Sequence, residues 1–185
     1  MCALSFPTPC LPQGEVCCFI SWSVSGWAEL GKIGLISDTH GSLHPEVFEA
    51  FAGVELILHA GDVDSPVVLS DLEVLAPVLA VRGNMDRSLS LTALPTFRLV
   101  HWAGRSIALI HNLDRLGEEL TARRLQEEEI HVVVFGHTHA QACWREDGCM
   151  YVNPGTAKAN AVRPGAALLW VGEEGVSVQH LRFKR

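Results

Sequence analysis

Short apolar runs alternate with amphipathic segments from Lys32 onward, and this pattern predicts strands alternating with helices. The first three predicted strands span 33–37, 54–59 and 77–81, and apolar residues at helical spacing follow the first two. The second half predicts a hairpin, a helix and further strands: 97–102, 106–110, the helix 114–129, 131–135, 140–144, 150–152, 166–171 and 176–183. Because no helices separate the last four strands, we expect them to pair largely antiparallel.

This order of elements favours an α/β fold with two mixed sheets packed face to face and helices outside, a four-layer α-β-β-α sandwich. A chain of 185 residues fits one domain, which we place at residues 31–185. Residues 1–30 form a poorly patterned N-terminal extension. Its apolar run, 16–27, is interrupted by serines and a glycine and has no preceding Lys or Arg, so we interpret it as an extension rather than a targeting segment.

Composition narrows the functional classes. An apolar content of 48% and a charged content of 19% are typical of a soluble globular protein. The net charge of -7 argues against a stable nucleic-acid complex and against a basic membrane anchor, and the chain has no apolar run long enough to span a membrane. The six cysteines form no C-x-x-C pair, which disfavours a zinc knuckle, and we expect a reduced, cytoplasmic compartment.

Seven side chains with metal-binding atoms lie in five short segments, each of which follows a predicted strand. They are Asp38, His40, Asp62, Asn84, His111, His137 and His139. Each segment alone has an ordinary interpretation as a turn or a helix cap. Side chains just past the carboxyl ends of strands converge in an open α/β sheet, so the set as a whole favours one metal centre. Two carboxylates, four imidazoles and one amide oxygen suffice for two ions that share a bridging ligand.

Such a centre suits chemistry at phosphorus. Two divalent ions bring about four positive charges and the two carboxylates return two, so the site should attract a phosphate. Metal ions also lower the pKa of bound water toward about 7, and two ions clamp an in-line displacement. Mixed nitrogen and oxygen ligands favour two divalent ions of the transition series: manganese first, with nickel, iron, cobalt or zinc as alternatives.

Five motifs carry a family resemblance that extends from Lys32 to about Arg163. They are Ser37-Asp38-Thr39-His40-Gly41, His59-Ala60-Gly61-Asp62, Arg82-Gly83-Asn84-Met85-Asp86, Gly136-His137-Thr138-His139 and Asn153-Pro154-Gly155-Thr156. With these motifs the chain resembles the calcineurin-like metallophosphoesterases, and most closely their small phosphodiesterase subgroup, the YfcE-like proteins.

The resemblance implies which residues hold each ion. One ion would be held by Asp38, His40, Asp62 and His139, and the other by Asp62, Asn84, His111 and His137, with Asp62 bridging. It further implies that hydroxide held by the metals attacks phosphorus and that Asn84 touches a phosphate oxygen. We therefore assign catalytic roles to Asn84 and His40, substrate binding to Asn84, and a structural role to 153–156.

Two positions depart from the family pattern. Many larger members have a histidine directly after the asparagine, whereas this chain has Met85, which cannot transfer a proton. The family usually places a glycine after the histidine at the position of His111, whereas here His111 is followed by Asn112 and Leu113. We keep His111 as a ligand because it ends a predicted strand.

Other polar residues receive modest interpretations. We expect His59 to be a core residue or an outer neighbour of the metal ligands. His44, His101, His131 and His180 are read as surface or strand-edge positions without a role, and Asp86 as a partner of a nearby arginine or a turn cap.

The leading function is thus a dinuclear metal-dependent phosphodiesterase that acts on a small phosphoester, with no membrane partner and with a homo-oligomer left open. The alternative is a non-catalytic protein-interaction scaffold of the same fold, as in a eukaryotic retromer subunit with a degraded metal site. The intact ligand set argues against that decay. A DNA repair nuclease is the third possibility, and Met85 and the acidic balance disfavour it.

Overall fold

The structure, a computed structural model, describes residues 31–122, 128–172 and 175–184. Its strands are β1 (Gly31–Ile36), β2 (Leu56–His59), β3 (Val78–Ala80), β4 (Phe97–Trp102), β5 (Arg105–Ile110), β6 (Val132–Val134), β7 (Ala142–Glu146), β8 (Cys149–Asn153), β9 (Gly165–Gly172) and β10 (Gly175–Arg182). Its α-helices are α1 (Glu46–Ala50), α2 (Pro66–Glu73), α3 (Leu89–Thr92) and α4 (Leu116–Ala122), and a 3-10 helix (Leu113–Arg115) precedes α4.

The strands form two five-stranded mixed sheets. The first has the order β10-β9-β1-β2-β3, in which β1, β2 and β3 run parallel and β9 lies antiparallel to β1. The second has the order β4-β5-β6-β8-β7, in which β5, β6 and β8 run parallel between antiparallel edge strands. Parallel neighbours deliver their carboxyl ends to the same edge, which is where the metal-binding segments begin.

Alternation along the strands builds the layers. In β2, Leu56 and Leu58 enter the core between the two sheets, whereas Ile57 faces the core under α1 and α2. On the far side, Leu116 and Leu120 of α4 pack on the outer face of the second sheet. The predicted α-β-β-α sandwich is confirmed.

Several local predictions need correction. The helix predicted over 114–129 is shorter: α4 ends at Ala122, 123–127 lie outside the described residues, and 128–130 are not helical. Glu128 and Glu129 would fall at a helix C-terminus, where acidic side chains are unfavourable. The pairing of β8 with β6 is parallel, although the late strands otherwise pair antiparallel as expected. The extension at 1–30 also lies outside the described residues. Among the helices described, none is long and apolar enough to cross a membrane.

Candidate metal centre

All seven predicted ligands lie at one edge of the sandwich. The ligands of the first sheet follow its three adjacent parallel strands and are Asp38, His40, Asp62 and Asn84. The ligands of the second sheet follow β5 and β6 and are His111, His137 and His139. Backbone hydrogen bonds join the loops within each sheet, since Gly136 N–H donates to His111 O and Asp38 N–H donates to Gly61 O, both at 3.0 Å. Between the sheets, the His137 N–H donates to Asp38 Oδ2 at 3.1 Å. The two sheets therefore contribute to a single cluster.

The first group of donor atoms comprises Asp38, His40 and His139, whose ligand atoms all lie within 4.8 Å of one another. His40 Nε2 and His139 Nε2 are 3.2 Å apart, and His139 Nε2 is 3.3 Å from Asp38 Oδ1. Two imidazole nitrogens that point at the same position suit a cation between them.

The second group lies beside the first. His111 Nε2 is 3.0 Å from Asn84 Oδ1, and His137 Nδ1 is 3.2 Å from the same oxygen. The ligand atoms of His111, Asp38 and Asp62 also lie within 4.8 Å of one another. The donor atoms of Asn84, His111 and His137 thus point toward one position, and the Asp62 carboxylate lies beside that position.

Asp62 stands between the groups. Its Oδ2 is 3.9 Å from His40 Nε2 on one side and 3.5 Å from His111 Nε2 on the other. Its Oδ1 accepts a hydrogen bond from the Met85 N–H at 2.8 Å, which fixes the carboxylate and leaves Oδ2 directed at both groups. This position suits a carboxylate that contacts both groups.

Outer partners set the tautomers of two histidines. His40 Nδ1 lies 3.0 Å from Asp64 Oδ2, and His111 Nδ1 lies 2.7 Å from Ala60 O. Each Nδ1–H donates to its oxygen, so each Nε2 offers a lone pair to the centre. Sequence reasoning missed Asp64, although its place in the Gly61-Asp62-Val63-Asp64 turn was a usable signal.

Asp38 gives the clearest test of whether a metal ion fits. Its Oδ2 accepts hydrogen bonds from Ser37 Oγ at 2.6 Å and from the His137 N–H at 3.1 Å. Its Oδ1 is buried and has no hydrogen-bond partner among the described residues. Burial raises the pKa of Asp38 above its ordinary value against the opposing Ser37 hydrogen bond. A buried carboxylate oxygen without a partner is costly, and a divalent cation at this point would satisfy it.

Charges within the centre shift two further pKa values. Burial alone would raise the pKa of Asp62, but hydrogen bonds from His111 and from the Met85 N–H hold it below its usual value. Burial alone would lower the pKa of His111, but the Asp62 carboxylate raises it instead. A proton and a metal ion therefore compete for His111 Nε2, and metal binding should release protons.

The backbone of the centre is strained. Five of the seven predicted ligands have positive φ values: Asp38 (52°), His40 (46°), Asp62 (53°), His137 (70°) and His139 (57°). Two glycines permit the close approach of neighbouring loops: a Cβ at Gly83 would overlap the Asp62 carboxylate, and one at Gly136 would overlap Ser37 Oγ. Such strain, at about 1–3 kcal/mol per residue, clusters at functional sites.

The neighbouring polar residues serve the loops. Thr156 Oγ1 donates to Asp38 O at 2.6 Å, and Asn153 Nδ2 donates to Gly136 O at 2.8 Å, which joins segment 153–156 to the loops of both sheets. Asp86 is buried and accepts hydrogen bonds from the Asp64 and Gly83 N–H groups, so it caps a turn instead of pairing with an arginine.

Two other histidines are buried. His59 is fully buried, as a core residue should be, with Nε2 3.1 Å from Thr39 Oγ1 and Nδ1 accepting from the Gly61 N–H. The surface interpretation of His44 is wrong: it is 6% exposed, its ring stacks on Phe183, and its Nε2 lies 3.0 Å from Lys184 O. The chain's C-terminal residues, which sequence patterns alone do not place, cover it.

Comparison with known proteins agrees with this geometry. The family model of the calcineurin-like phosphoesterase superfamily domain matches residues 32–174. This chain belongs to that superfamily. A protein of Methanothermobacter thermautotrophicus named "Probable metallophosphoesterase" is 37% identical over 166 residues, which cover 81% of this chain and 91% of that protein. The superfamily assignment makes a metal-dependent phosphoesterase the general class of this chain.

Solved structures share the fold. A protein described as a novel archaeal phosphodiesterase superimposes with a TM-score of 0.65 at 23% identity, covering 82% of this chain and 99% of that one. Vacuolar Protein Sorting 29 from Cryptosporidium parvum also gives a TM-score of 0.65, at 21% identity, with 84% and 99% covered. At these identities the likeness concerns the fold alone, so the two neighbours do not separate an enzyme from a sorting protein.

Proposed function

We propose that this chain is a dinuclear metal-dependent phosphodiesterase. The observation that carries the proposal is the position of Asp62 Oδ2, 3.9 Å from His40 Nε2 and 3.5 Å from His111 Nε2. A carboxylate oxygen between two groups of imidazole nitrogens suits two ions better than one. The buried Asp38 Oδ1, which has no hydrogen-bond partner among the described residues, supports the presence of a metal ion.

We divide the donor set between the two proposed ions as the resemblance implies. Asp38, His40 and His139 would hold one ion; Asn84, His111 and His137 would hold the other; Asp62 would contact both. When bound, two divalent ions in this site would neutralise charge on a phosphate and lower the pKa of water, which is the chemistry that phosphoester hydrolysis needs. Manganese heads the candidates for this mixed nitrogen and oxygen set, with nickel, iron, cobalt and zinc behind it.

Two side chains are assigned catalytic roles. Asn84 is exposed and directs its Oδ1 at His111 and His137, so its Nδ2 amide group is available to donate to a phosphate oxygen. His40 is held at Nδ1 by Asp64 and directs Nε2 toward His139, so its catalytic contribution would be to fix the ion that it holds. Neither residue transfers a proton.

Met85 limits the leaving groups. It follows Asn84 directly and is 41% exposed, and a thioether cannot protonate a departing alkoxide. We expect good hydrolysis of diesters with acidic leaving groups and weak action on alkyl monoesters. Rates for a series of aryl phosphodiesters should fall steeply as leaving-group pKa rises, whereas a flat dependence would refute this expectation.

The proposed function has a direct test. Metal-stripped protein is assayed with bis(p-nitrophenyl) phosphate before and after addition of Mn²⁺, beside His137→Ala and the control His101→Ala, an exposed histidine of β4 outside the centre. Turnover that Mn²⁺ restores in the wild type and in His101→Ala, but not in His137→Ala, supports the proposal. No turnover by folded protein with manganese, nickel, cobalt, iron or zinc would refute it.

A non-catalytic scaffold is the alternative, because a vacuolar sorting protein shares the fold as fully as a phosphodiesterase does. The donor groups favour the enzyme, since each of the seven positions has a side chain able to bind metal and the loops tolerate strained backbone to present them. Failure of the assay above would transfer support to the scaffold.

A further inference from the structure

A cavity of about 350 Å³ opens next to the asparagine side of the metal centre, where Asn84, His111 and His137 form one of its walls. Its remaining polar lining consists of Arg82, Thr96, Asn112, Arg115 and Glu119. We call this cavity the arginine pocket. Its volume lies in the range of pockets that hold small ligands.

Two guanidinium groups from different parts of the fold line this pocket. Arg82 follows β3, is half-buried, and uses one N–H for a hydrogen bond to Thr92 O at 3.3 Å. A guanidinium group has five N–H donors, so others remain for a ligand. The planar fork of an arginine matches a phosphate with two parallel hydrogen bonds.

Arg115 comes from the 3-10 helix before α4. Its Nη2 lies 3.1 Å from Glu118 Oε2, and the two side chains are 68% and 71% exposed. Because solvent screens a pair this exposed, a more highly charged ligand would displace Glu118 easily. The Glu119 carboxylate accepts a hydrogen bond from Thr96 Oγ1 at 2.6 Å, which holds it against the wall of the pocket.

The opposite side of the metal centre carries the Asp64 carboxylate, whose Oδ2 lies 3.0 Å from His40 Nδ1. The arginine pocket contains one carboxylate in its lining, Glu119, beside two guanidinium groups. An anionic substituent on a phosphoester bound at the centre is therefore repelled on the Asp64 side and finds guanidinium N–H donors on the arginine side. The direction in which a charged substrate extends follows from this asymmetry.

We propose that the arginine pocket binds a second phosphate group of the substrate, so that the preferred substrates are phosphodiesters that carry a further phosphate, such as esters of nucleoside bisphosphates. The inference rests on the proposed phosphodiesterase function. The hydrolysed bond is unchanged: water adds to phosphorus as the ester oxygen leaves, and the second phosphate stays intact in the pocket.

The test uses two substrates that differ by one phosphate. These are the p-nitrophenyl ester of thymidine 5′-phosphate and the same ester with an added 3′-phosphate, both of which release p-nitrophenolate. We expect kcat/KM to be about tenfold higher for the second substrate, since hydrogen bonds between a guanidinium group and a phosphate are charge-assisted and stronger than neutral ones. Arg82→Gln and Arg115→Gln should each bring the ratio toward one. The matched control is Arg145→Gln, at the end of β7 away from the pocket, which should keep the wild-type ratio.

Binding gives a second readout that does not depend on turnover. Calorimetry with thymidine 3′,5′-bisphosphate and thymidine 5′-monophosphate should show tighter binding of the bisphosphate to the Mn²⁺-loaded wild type, and loss of that difference in both arginine variants. Equal rates and equal binding for the two ligands would overturn the pocket inference while leaving the phosphodiesterase intact. A preference that survives both substitutions would overturn it too. Hydrolysis of neither ester with any metal would instead refute the proposed function and the inference with it.

Discussion

The two halves of the candidate metal centre differ in charge. The aspartate half, Asp38, His40 and His139, contains a buried carboxylate, and a second carboxylate at Asp64 braces its His40. The asparagine half, Asn84, His111 and His137, contains only neutral donors of its own, and a backbone carbonyl braces its His111. Because opposite charges attract a divalent ion, the aspartate half should bind its ion more tightly. In the proposed two-ion centre, the asparagine half would then hold the more weakly bound ion, beside the arginine pocket.

Loss of the shared ligand should abolish this difference and have the largest effect. Asp62→Asn removes the carboxylate that lies between the two groups, 3.5 Å from His111 Nε2 and 3.9 Å from His40 Nε2, and so weakens both halves. We expect kcat/KM for bis(p-nitrophenyl) phosphate to fall by at least about 1,000-fold, with fewer than two ions per chain by elemental analysis. The control Asp147→Asn lies in the exposed β7–β8 turn, where asparagine tolerates the positive φ. Two retained ions with activity within tenfold of wild type would contradict the bridging role.

A substitution confined to the asparagine half should separate the two ions. Asn84→Ala removes the oxygen that faces both His111 and His137, so the weaker class of Mn²⁺ sites should disappear from a calorimetric titration while the tighter class stays. Activity should fall by roughly 100-fold, since the amide also contacts the phosphate in the proposed mechanism. Asn160→Ala, in an exposed turn, is the matched control. Simultaneous loss of both classes would mean that the halves are not independent.

The complementary change acts on the aspartate half alone. Asp64→Asn keeps the shape of the side chain and suits its φ of 61°, but it removes the charge that braces His40 Nδ1. Replacing outer partners of metal-bound histidines typically costs about 10- to 100-fold in affinity, and this near-isosteric change belongs at the lower end. The tighter Mn²⁺ site should weaken about tenfold while the weaker site, the internal control, is unchanged. Equal weakening of both sites would count against the division.

Sequence patterns predicted the sandwich and the convergence of the seven candidate ligands at one edge, because both predictions depend on local signals. An apolar run followed by a polar turn marks the carboxyl end of a strand, and parallel neighbours place those ends together. The shortened α4 is a local failure, since helical spacing continued into an acidic stretch that does not sustain a helix at its C-terminus.

The remaining features depend on which distant side chains face each other. Asp64 reaches His40 because the loops after β1 and β2 run side by side, and Arg82 and Arg115 line one pocket although they follow strands of different sheets, β3 and β5. His44 is buried by residues at the other end of the chain. Spacing along one segment can mark a candidate residue such as Asp64 but not the distant side chain that it contacts. The convergence of the seven candidate ligands was therefore predictable, whereas the partner of His40 and the arginine pocket were not.

The smallest effect on the metal centre, and a distinct one on stability, should come from His59 beneath the aspartate half. Burial lowers the pKa of His59 from 6.5 to about 3, so the folded chain keeps this ring neutral where the unfolded chain binds a proton. Stability from this residue is therefore complete above about pH 6.5 and is lost as pH falls toward 3.

His59→Asn preserves an acceptor near the Gly61 N–H but removes the titrating group. Denaturant unfolding of the metal-free proteins between pH 4 and pH 6 should show a stability slope that is shallower in the variant by about 1.4 kcal/mol per pH unit, the value for one proton taken up on unfolding. Identical slopes would show that the folded chain protonates His59 as easily as the unfolded one. In acid, a protonated His59 ring would then lie beneath the aspartate half. The preference of a cation for the aspartate half over the asparagine half would therefore decrease as pH falls.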